Sequence, residues 1–284
     1  MLRFVAGNKR LDAINIANNL IQKNKIPIIN YITEESTDKK HVFNEYIKLS
    51  KVIPEKSMIA LKLSSIDFDR DLIDKLVETY KSYSIKVIID AENNKNINKY
   101  RSIVNSLILK YNNIDDKDNI IKTYQMYRRD SLRELNNDLQ FFKYRDCILS
   151  TKIVRGAYWN SESTEGHLYT NKTDTDENYN RAIIKALSNI TALYKNRLIN
   201  STNIIATHNR ESIEIATSLI TRHSILNPST IIANLMGMNN RLSNKLSTNY
   251  KVATYVPYGP YNKMIPYLSR RLYENVDTIK YIIK

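Results

Sequence analysis

Short apolar runs of strand length recur along this chain, separated by stretches in which apolar residues return every three or four positions. The runs are "IPIINYI" (26–32), "SMIALKLSS" (57–65), "IKVIID" (85–90), "NIIKTYQMY" (119–127), "TKIVRGAYW" (151–159), "NIIATHN" (203–209), "STIIANLMG" (229–237) and "YKVATYVPYG" (250–259). Each is nearly continuous in apolar residues, the pattern of a strand covered on both faces, as in a parallel sheet. Between them, 67–83 carries Leu72, Leu76, Val77 and Tyr80 on one helical stripe, and 129–149 and 176–198 repeat that pattern at greater length. An amphipathic helix also precedes the first strand. Strands alternating with helices at roughly 25–50 residues per unit predict an α/β chain folded as a (β/α)8 TIM-like barrel. A doubly wound open sheet is the alternative. No Pro/Gly/Ser-rich linker interrupts the pattern, so a single domain over 1–284 is expected.

Glycine usage changes what such a barrel is expected to bind. The glycines are Gly7, Gly156, Gly166, Gly237 and Gly259, no two separated by one residue. Neither the G-x-G-x-x-G turn nor the G-x-x-x-x-G-K-[ST] phosphate loop is present, so a nucleotide cofactor would be held in another way. The net charge of +14, from 43 Lys plus Arg against 29 Asp plus Glu, suits an anionic partner, but the lysines are scattered rather than blocked. A basic nucleic-acid or anionic-membrane binder without enzymatic activity is therefore a reading of a different class. Cys147 is the one cysteine, so no intrachain disulfide forms, as suits a reducing compartment. It falls on the helix expected at 129–149 and reads as core rather than nucleophile. No apolar run reaches the ~20 residues of a membrane span. The start enters a helix almost at once, so no cleavable leader is expected, and a cytoplasmic chain, at most peripheral to a membrane, follows.

In a barrel the strand C-termini form the active face. The predicted strands end in Glu34, Lys62, Asp90 with Glu92, Gln125, Lys152 with Arg155, Thr207-His208-Asn209, Asn234 and Tyr255, a polar rim rather than a bland core. Lys62 lies within an apolar run and needs an anionic partner, a depressed pKa or a path to the rim. It reads as a carboxylate anchor, a Schiff-base lysine of an aldolase-like enzyme, or a lysine that snorkels. Asp90 can pair with it or with an arginine. The four histidines, His41, His167, His208 and His223, show no ligand spacing, so no metal site is expected.

Two stretches are distinctive together: "TKIVRGAYW" (151–159) and "YVPYGPYNKMIPYLSRRLYEN" (255–275). They resemble the proline dehydrogenase family, FAD-dependent barrel enzymes, in its monofunctional form. Shorter matches follow in order: "VAG" (5–7), "NYITEEST" (30–37), "LKLSS" (61–65), "IDAE" (89–92), "YQMY" (124–127), "ATHN" (206–209) and "LMGMNNRLS" (235–243). The resemblance spans essentially the whole chain. Two positions depart from the family pattern: its glycine before the glutamate of "TEE" is Thr33, and the aspartate of its "GMxD" is Asn239 or Asn240.

The resemblance implies oxidation of L-proline to Δ1-pyrroline-5-carboxylate, with electrons passed from FAD to a quinone-type acceptor and at least transient membrane contact. It implies that Lys62, Arg270 and Arg271 bind the substrate carboxylate and that Tyr255 and Tyr267 line its ring. Asp90 and Lys152 would form the catalytic set, Lys152 at the flavin-side position that is arginine in many members. Ala91, Gln125, Val154, Arg155, Gly156, Trp159, Lys172, Thr207, His208, Asn209 and Glu274 would hold FAD or support its site. Glu34 matches the acidic residue that closes as a gate. A hydroxyproline-oxidising relative is the rival within the family, and the bulky Tyr255 favours proline. No specific nucleic acid is expected. Tyr267, Arg270, Arg271 and Glu274 stand at i, i+3, i+4 and i+7, one face of a helix that would carry substrate-binding residues. Two guanidinium forks and an ammonium over-determine the place of a small carboxylate.

Overall fold

The eight apolar runs each form a strand, and the strands close on themselves. In a computed structural model describing residues 2–33, 38–113, 118–194 and 201–274, the strands are β1 (Lys25–Tyr31), β2 (Met58–Lys62), β3 (Lys86–Asp90), β4 (Ile120–Gln125), β5 (Ser150–Val154), β6 (Asn203–Ala206), β7 (Thr230–Leu235) and β8 (Lys251–Tyr258). They form a closed barrel in the order β1-β2-β3-β4-β5-β6-β7-β8, and the pairings from β8 through β1 and β2 to β3, and from β4 through β7, are parallel. The helices among the described residues are α1 (Arg10–Gln22), α2 (Lys39–Ser50), α3 (Arg70–Ser82), α4 (Ile97–Tyr111), α5 (Ser131–Tyr144), α6 (Trp159–Glu162), α7 (Lys172–Tyr194), α8 (Arg210–Arg222), α9 (Asn240–Leu246) and α10 (Tyr261–Glu274).

Several predicted strands ran past their true ends, and the cause is local each time. The 57–65 run stops at Lys62 because Leu63–Ile66 winds into a 3₁₀ turn. The 151–159 run stops at Val154, two residues before Gly156 adopts φ +153°. The 203–209 run stops at Ala206, and Asn209 then caps α8 by accepting the Ser212 N–H at 3.1 Å. Helix α3 shows the same economy: Asp69 accepts the Leu72 N–H at 3.2 Å at its start, and Ser84 turns left-handed just after its end. Its buried stripe is Ile73, Leu76, Val77 and Tyr80; Ile73 takes the place expected of Leu72, which is only half-buried. Helix α5 ends at Tyr144, not 149. Cys147 therefore lies beyond the helix, in a bridge to Asn113, and is half-buried rather than core.

The chain divides into two compact units, Met1–Glu92 with Asn234–Lys284, and Asn93–Ala233. In the first unit Tyr258 of β8 donates to Glu45 of α2 at 3.0 Å, and Tyr31 of β1 packs against Tyr46 of α2 and against Tyr258. These tyrosines define the helix-facing side of the strands. In the second unit Lys122 and Tyr124 of β4 both donate to Asp138 of α5, at 2.6 and 2.7 Å, which defines its helix-facing side. Strand alternation sends the intervening residues into the barrel.

Candidate active site

Strand register gathers three of the expected residues of the first unit. Lys62 pairs with Asp90 across β2 and β3, Met58 pairs with Ile28 of β1, and Ile28 pairs with Tyr255 of β8. Lys62, Asp90 and Tyr255 thus share one face, opposite to Tyr31 and Tyr258. The Tyr255 hydroxyl donates to Asp90 Oδ2 at 2.5 Å. Burial pushes the Tyr255 phenol well above its ordinary pKa, and the Asp90 charge and neighbouring Tyr267 push it further, so it stays a protonated donor.

Lys62 is half-buried at its strand end, not enclosed. The backbone there is fastened twice: the Ser65 hydroxyl donates to the Lys62 carbonyl at 2.6 Å, and the Ser64 N–H donates to Glu92 Oε1 at 2.8 Å. Glu92, 1% exposed, is therefore a buried clasp rather than part of a solvated rim. Ala91, between Asp90 and Glu92, is half-buried. Tyr267 of α10 is buried with Val5, Ile32, Met264 and Leu268. Arg270, Arg271 and Glu274 continue α10, but their side chains lie outside the described residues, as does Glu34 altogether. Thr33, at the family's glycine position, buries a hydroxyl with no hydrogen-bond partner among the described residues. Asn239, at φ 47°, caps α9 by accepting the Leu242 N–H at 3.3 Å, a role that asparagine and aspartate share.

The second unit carries most of the residues expected at the cofactor. Lys152, 6% exposed, pairs with Thr123 in register, so it points into the barrel, away from Lys122. Gln125 pairs with Val154, and its Oε1 accepts the Ala157 N–H at 3.2 Å, fixing the chain just after Gly156. Gly156 has no room for a side chain: at φ +153° a Cβ would stand 2.4 Å from the Tyr127 ring. Trp159 opens α6 and is half-buried.

Arg155 is engaged on several sides. Its Nε donates to Asp176 at 2.6 Å, Nη1 to Thr207 Oγ1 at 2.7 Å and Nη2 to Ser212 Oγ at 3.0 Å, and the guanidinium lies 4.3 Å from the Tyr179 ring centroid. That uses three of five N–H donors. Lys172, at the start of α7 and 65% exposed, also bonds Asp176. Thr207 Oγ1 accepts the Asn209 N–H as well, at 3.0 Å, so Arg155, Thr207 and Asn209 form one connected group. Burial lowers the His208 pKa, and the cations of Arg155 and Lys172 lower it further, so His208 is neutral near pH 7.

Sequence reasoning passed over three residues that the structure makes prominent. Asp176 stands one turn after Lys172, an i, i+4 spacing that was legible. Glu162, 2% exposed, accepts the Tyr127 hydroxyl at 2.9 Å and the Asn94 N–H at 2.5 Å, tying α6 down. Lys122 sits in an apolar run just as Lys62 does, yet it is the lysine that is wholly buried, against Asp138, Glu134 and Asn105 at 2.6, 2.9 and 2.9 Å. No grouping of metal-binding side chains occurs among the described residues.

The donor set suits a flavin dinucleotide. The second unit offers the cations Arg155, Lys172 and Lys152 for phosphates or ring carbonyls, with Gln125, Thr207 and a neutral His208 for hydroxyl and ring groups. The sequence profile of the family described as proline dehydrogenase matches residues 15–281. Proline dehydrogenase 1, mitochondrial, of Dictyostelium discoideum is 30% identical over 244 residues, 82% of this chain and 42% of that protein. Proline dehydrogenase 2 of Bacillus subtilis (strain 168) is 28% identical over 239 residues, 80% of this chain and 69% of that one. The crystal structure of proline utilization A from Bdellovibrio bacteriovorus inactivated by N-propargylglycine superposes with a TM-score of 0.85 at 18% identity. It covers 96% of this chain and 32% of that protein, and it supports the barrel fold alone. This chain thus spans less than half the length of the Dictyostelium relative.

Proposed function

This chain belongs to the proline dehydrogenase family, and from that premise we propose that it oxidises L-proline to Δ1-pyrroline-5-carboxylate with FAD, passing the electrons to a quinone-type acceptor. The observation that carries the reading is the inward-facing group of Lys62, Asp90 and Tyr255, with Tyr255 donating to Asp90 at 2.5 Å. It supplies a cation, an anion and an aromatic wall, the three features that a small cyclic amino acid requires.

Lys62 anchors the proline carboxylate together with Arg270 and Arg271. Asp90 and the family's glutamates, Glu34 and Glu274, offset the excess positive charge. Tyr255 and Tyr267 wall the ring, and the Tyr255–Asp90 bond holds the first wall in one rotamer. Bound FAD supplies the hydride acceptor. Arg155, Lys172, Thr207, His208, Asn209 and Gln125 would hold it, with Val154, Gly156, Trp159, Ala91 and Lys152 the further residues that the family resemblance assigns to it. With Tyr255 retained and its hydroxyl committed to Asp90, the substrate is proline rather than hydroxyproline, and kcat/KM for the two compared directly decides that point. The amine reacts in its neutral form.

The purified chain reconstituted with FAD is expected to be yellow, to bleach under anaerobic L-proline and to regain colour with a soluble quinone. A chain that takes up FAD but does not bleach, or that stays colourless, overturns the reading. Arg270→Lys or Arg271→Lys removes one charge-assisted contact of about 1.5–3 kcal/mol, so kcat/KM falls roughly ten- to hundredfold.

A further inference from the structure

Asp176 of α7 touches two of the cations expected at the cofactor, Arg155 and Lys172. Its Oδ1 accepts from Arg155 Nε at 2.6 Å, and its Oδ2 is bonded by Lys172 Nζ. The carboxylate is 16% exposed and lies in the first turns of α7. Asp176, Tyr179 and Asn180 stand at i, i+3 and i+4 on that helix and so share a face. From this face Asp176 takes the Arg155 Nε, Tyr179 lies under the guanidinium, and Asn180 Oδ1 accepts the Ser212 hydroxyl at 2.7 Å. Ser212 Oγ in turn accepts Arg155 Nη2. Tyr179 is itself fixed, donating to the Ile153 carbonyl at 3.1 Å on the strand that leads to Arg155.

A carboxylate placed against two cations has opposite effects on anion binding. By charge alone it weakens a phosphate ligand, since it cancels part of the positive field. By geometry it strengthens one, since a guanidinium held in a single orientation loses less freedom on binding. The number of contacts holding Arg155 favours geometry. Lys172, largely exposed, gains little from its own pair.

Resting on the FAD reading, we propose that Asp176 is a positioning residue for the cofactor, orienting Arg155, and secondarily Lys172, toward the diphosphate of FAD. Burial alone would raise the Asp176 carboxyl, but hydrogen bonds from Lys172 and Arg155 outweigh it and hold the carboxyl below its ordinary value. It is therefore charged throughout the working pH range.

The test is titration of the FAD-free chain with FAD and, separately, with riboflavin, which lacks the phosphates, followed by flavin fluorescence. Asp176→Asn is close to isosteric. It is expected to raise the Kd for FAD about tenfold, to leave the Kd for riboflavin unchanged, and to keep the FAD-free Tm within a few degrees. FAD affinity that is unchanged or tighter overturns the proposal, tighter being the result that charge alone demands. An equal loss of FAD and riboflavin also overturns it, because the residue then supports the fold generally. Should D176N fail to fold, Asp176→Glu keeps the charge and moves it by one methylene. Weaker FAD with unchanged riboflavin then supports the proposal, and wild-type FAD affinity overturns it. A wild-type chain that takes up no FAD sinks the cofactor reading, and this inference with it, and is told apart from the other failures by that control.

Discussion

Tyr255 and Asp90 are separated by 165 positions in the chain and by 2.5 Å in space. Both were legible as polar ends of apolar strands, but their pairing was not, because a strand's apolar pattern carries no record of its neighbour. Tyr255→Phe keeps the ring wall and removes one hydrogen bond to a carboxylate, a loss of about 1.5–3 kcal/mol. That bond exists in the free chain, so its loss acts by loosening the ring wall: kcat/KM for L-proline is expected to fall by about tenfold or less with flavin content unchanged, and an unaltered kcat/KM would detach Tyr255 from the reaction. His208 supports a prediction about stability. Burial depresses its folded pKa below the ordinary value of about 6.5. The unfolded chain then binds more protons near and below that value, so the contribution of neutral His208 is present above about pH 6.5 and is lost as pH falls through the depressed pKa. Melting the FAD-free chain between pH 8 and pH 5.5 is expected to show a decline in Tm that His208→Gln makes shallower. The same decline in both proteins would contradict it.

At the scale of elements, β4 and α5 are joined by a buried charge cluster that the sequence pattern concealed. Lys62 and Lys122 occupy the same local setting, a lysine within an apolar run, and only register separates them: Lys62 ends its strand, whereas Lys122 points from mid-strand toward α5 and meets Asp138 and Glu134. Removing Lys122 leaves the buried Asp138 carboxylate without its cation, which costs about 3–5 kcal/mol, whereas Glu134 keeps Arg101 at 2.6 Å. Lys122→Met is therefore expected to lower Tm by about 6–20 °C, and Lys122→Met with Asp138→Asn to recover part of that, Glu134 staying with Arg101. A single variant that melts like the wild type would mean that water reaches the carboxylates. Strand ends were the least legible feature. A run of apolar residues continues past the last ladder bond whenever a 3₁₀ turn, a glycine or a capping asparagine ends the strand, as after Lys62, Val154 and Ala206.

At the scale of the whole molecule, the barrel followed from eight runs and the helical stretches between them, since burial on both faces and a repeated βα spacing leave few architectures open. No helix among the described residues is long and apolar enough to cross a membrane. Because FAD would bind the folded chain and not the unfolded one, FAD at a hundredfold excess over its Kd is expected to stabilise by about 2.7 kcal/mol. That corresponds to roughly 5–10 °C in Tm, with riboflavin giving less; no shift would exclude a folded-state flavin site. The sequence by itself determined the strands, the polar character of their ends and, through "TKIVRGAYW" and "YVPYGPYNKMIPYLSRRLYEN", the family. Those properties are local and accumulate along the chain. Only the tertiary structure decided that Lys122 rather than Lys62 is enclosed, that Tyr255 meets Asp90, and that Asp176 takes both Arg155 and Lys172. Such pairings depend on strand register and helix packing, which join residues that no local window contains.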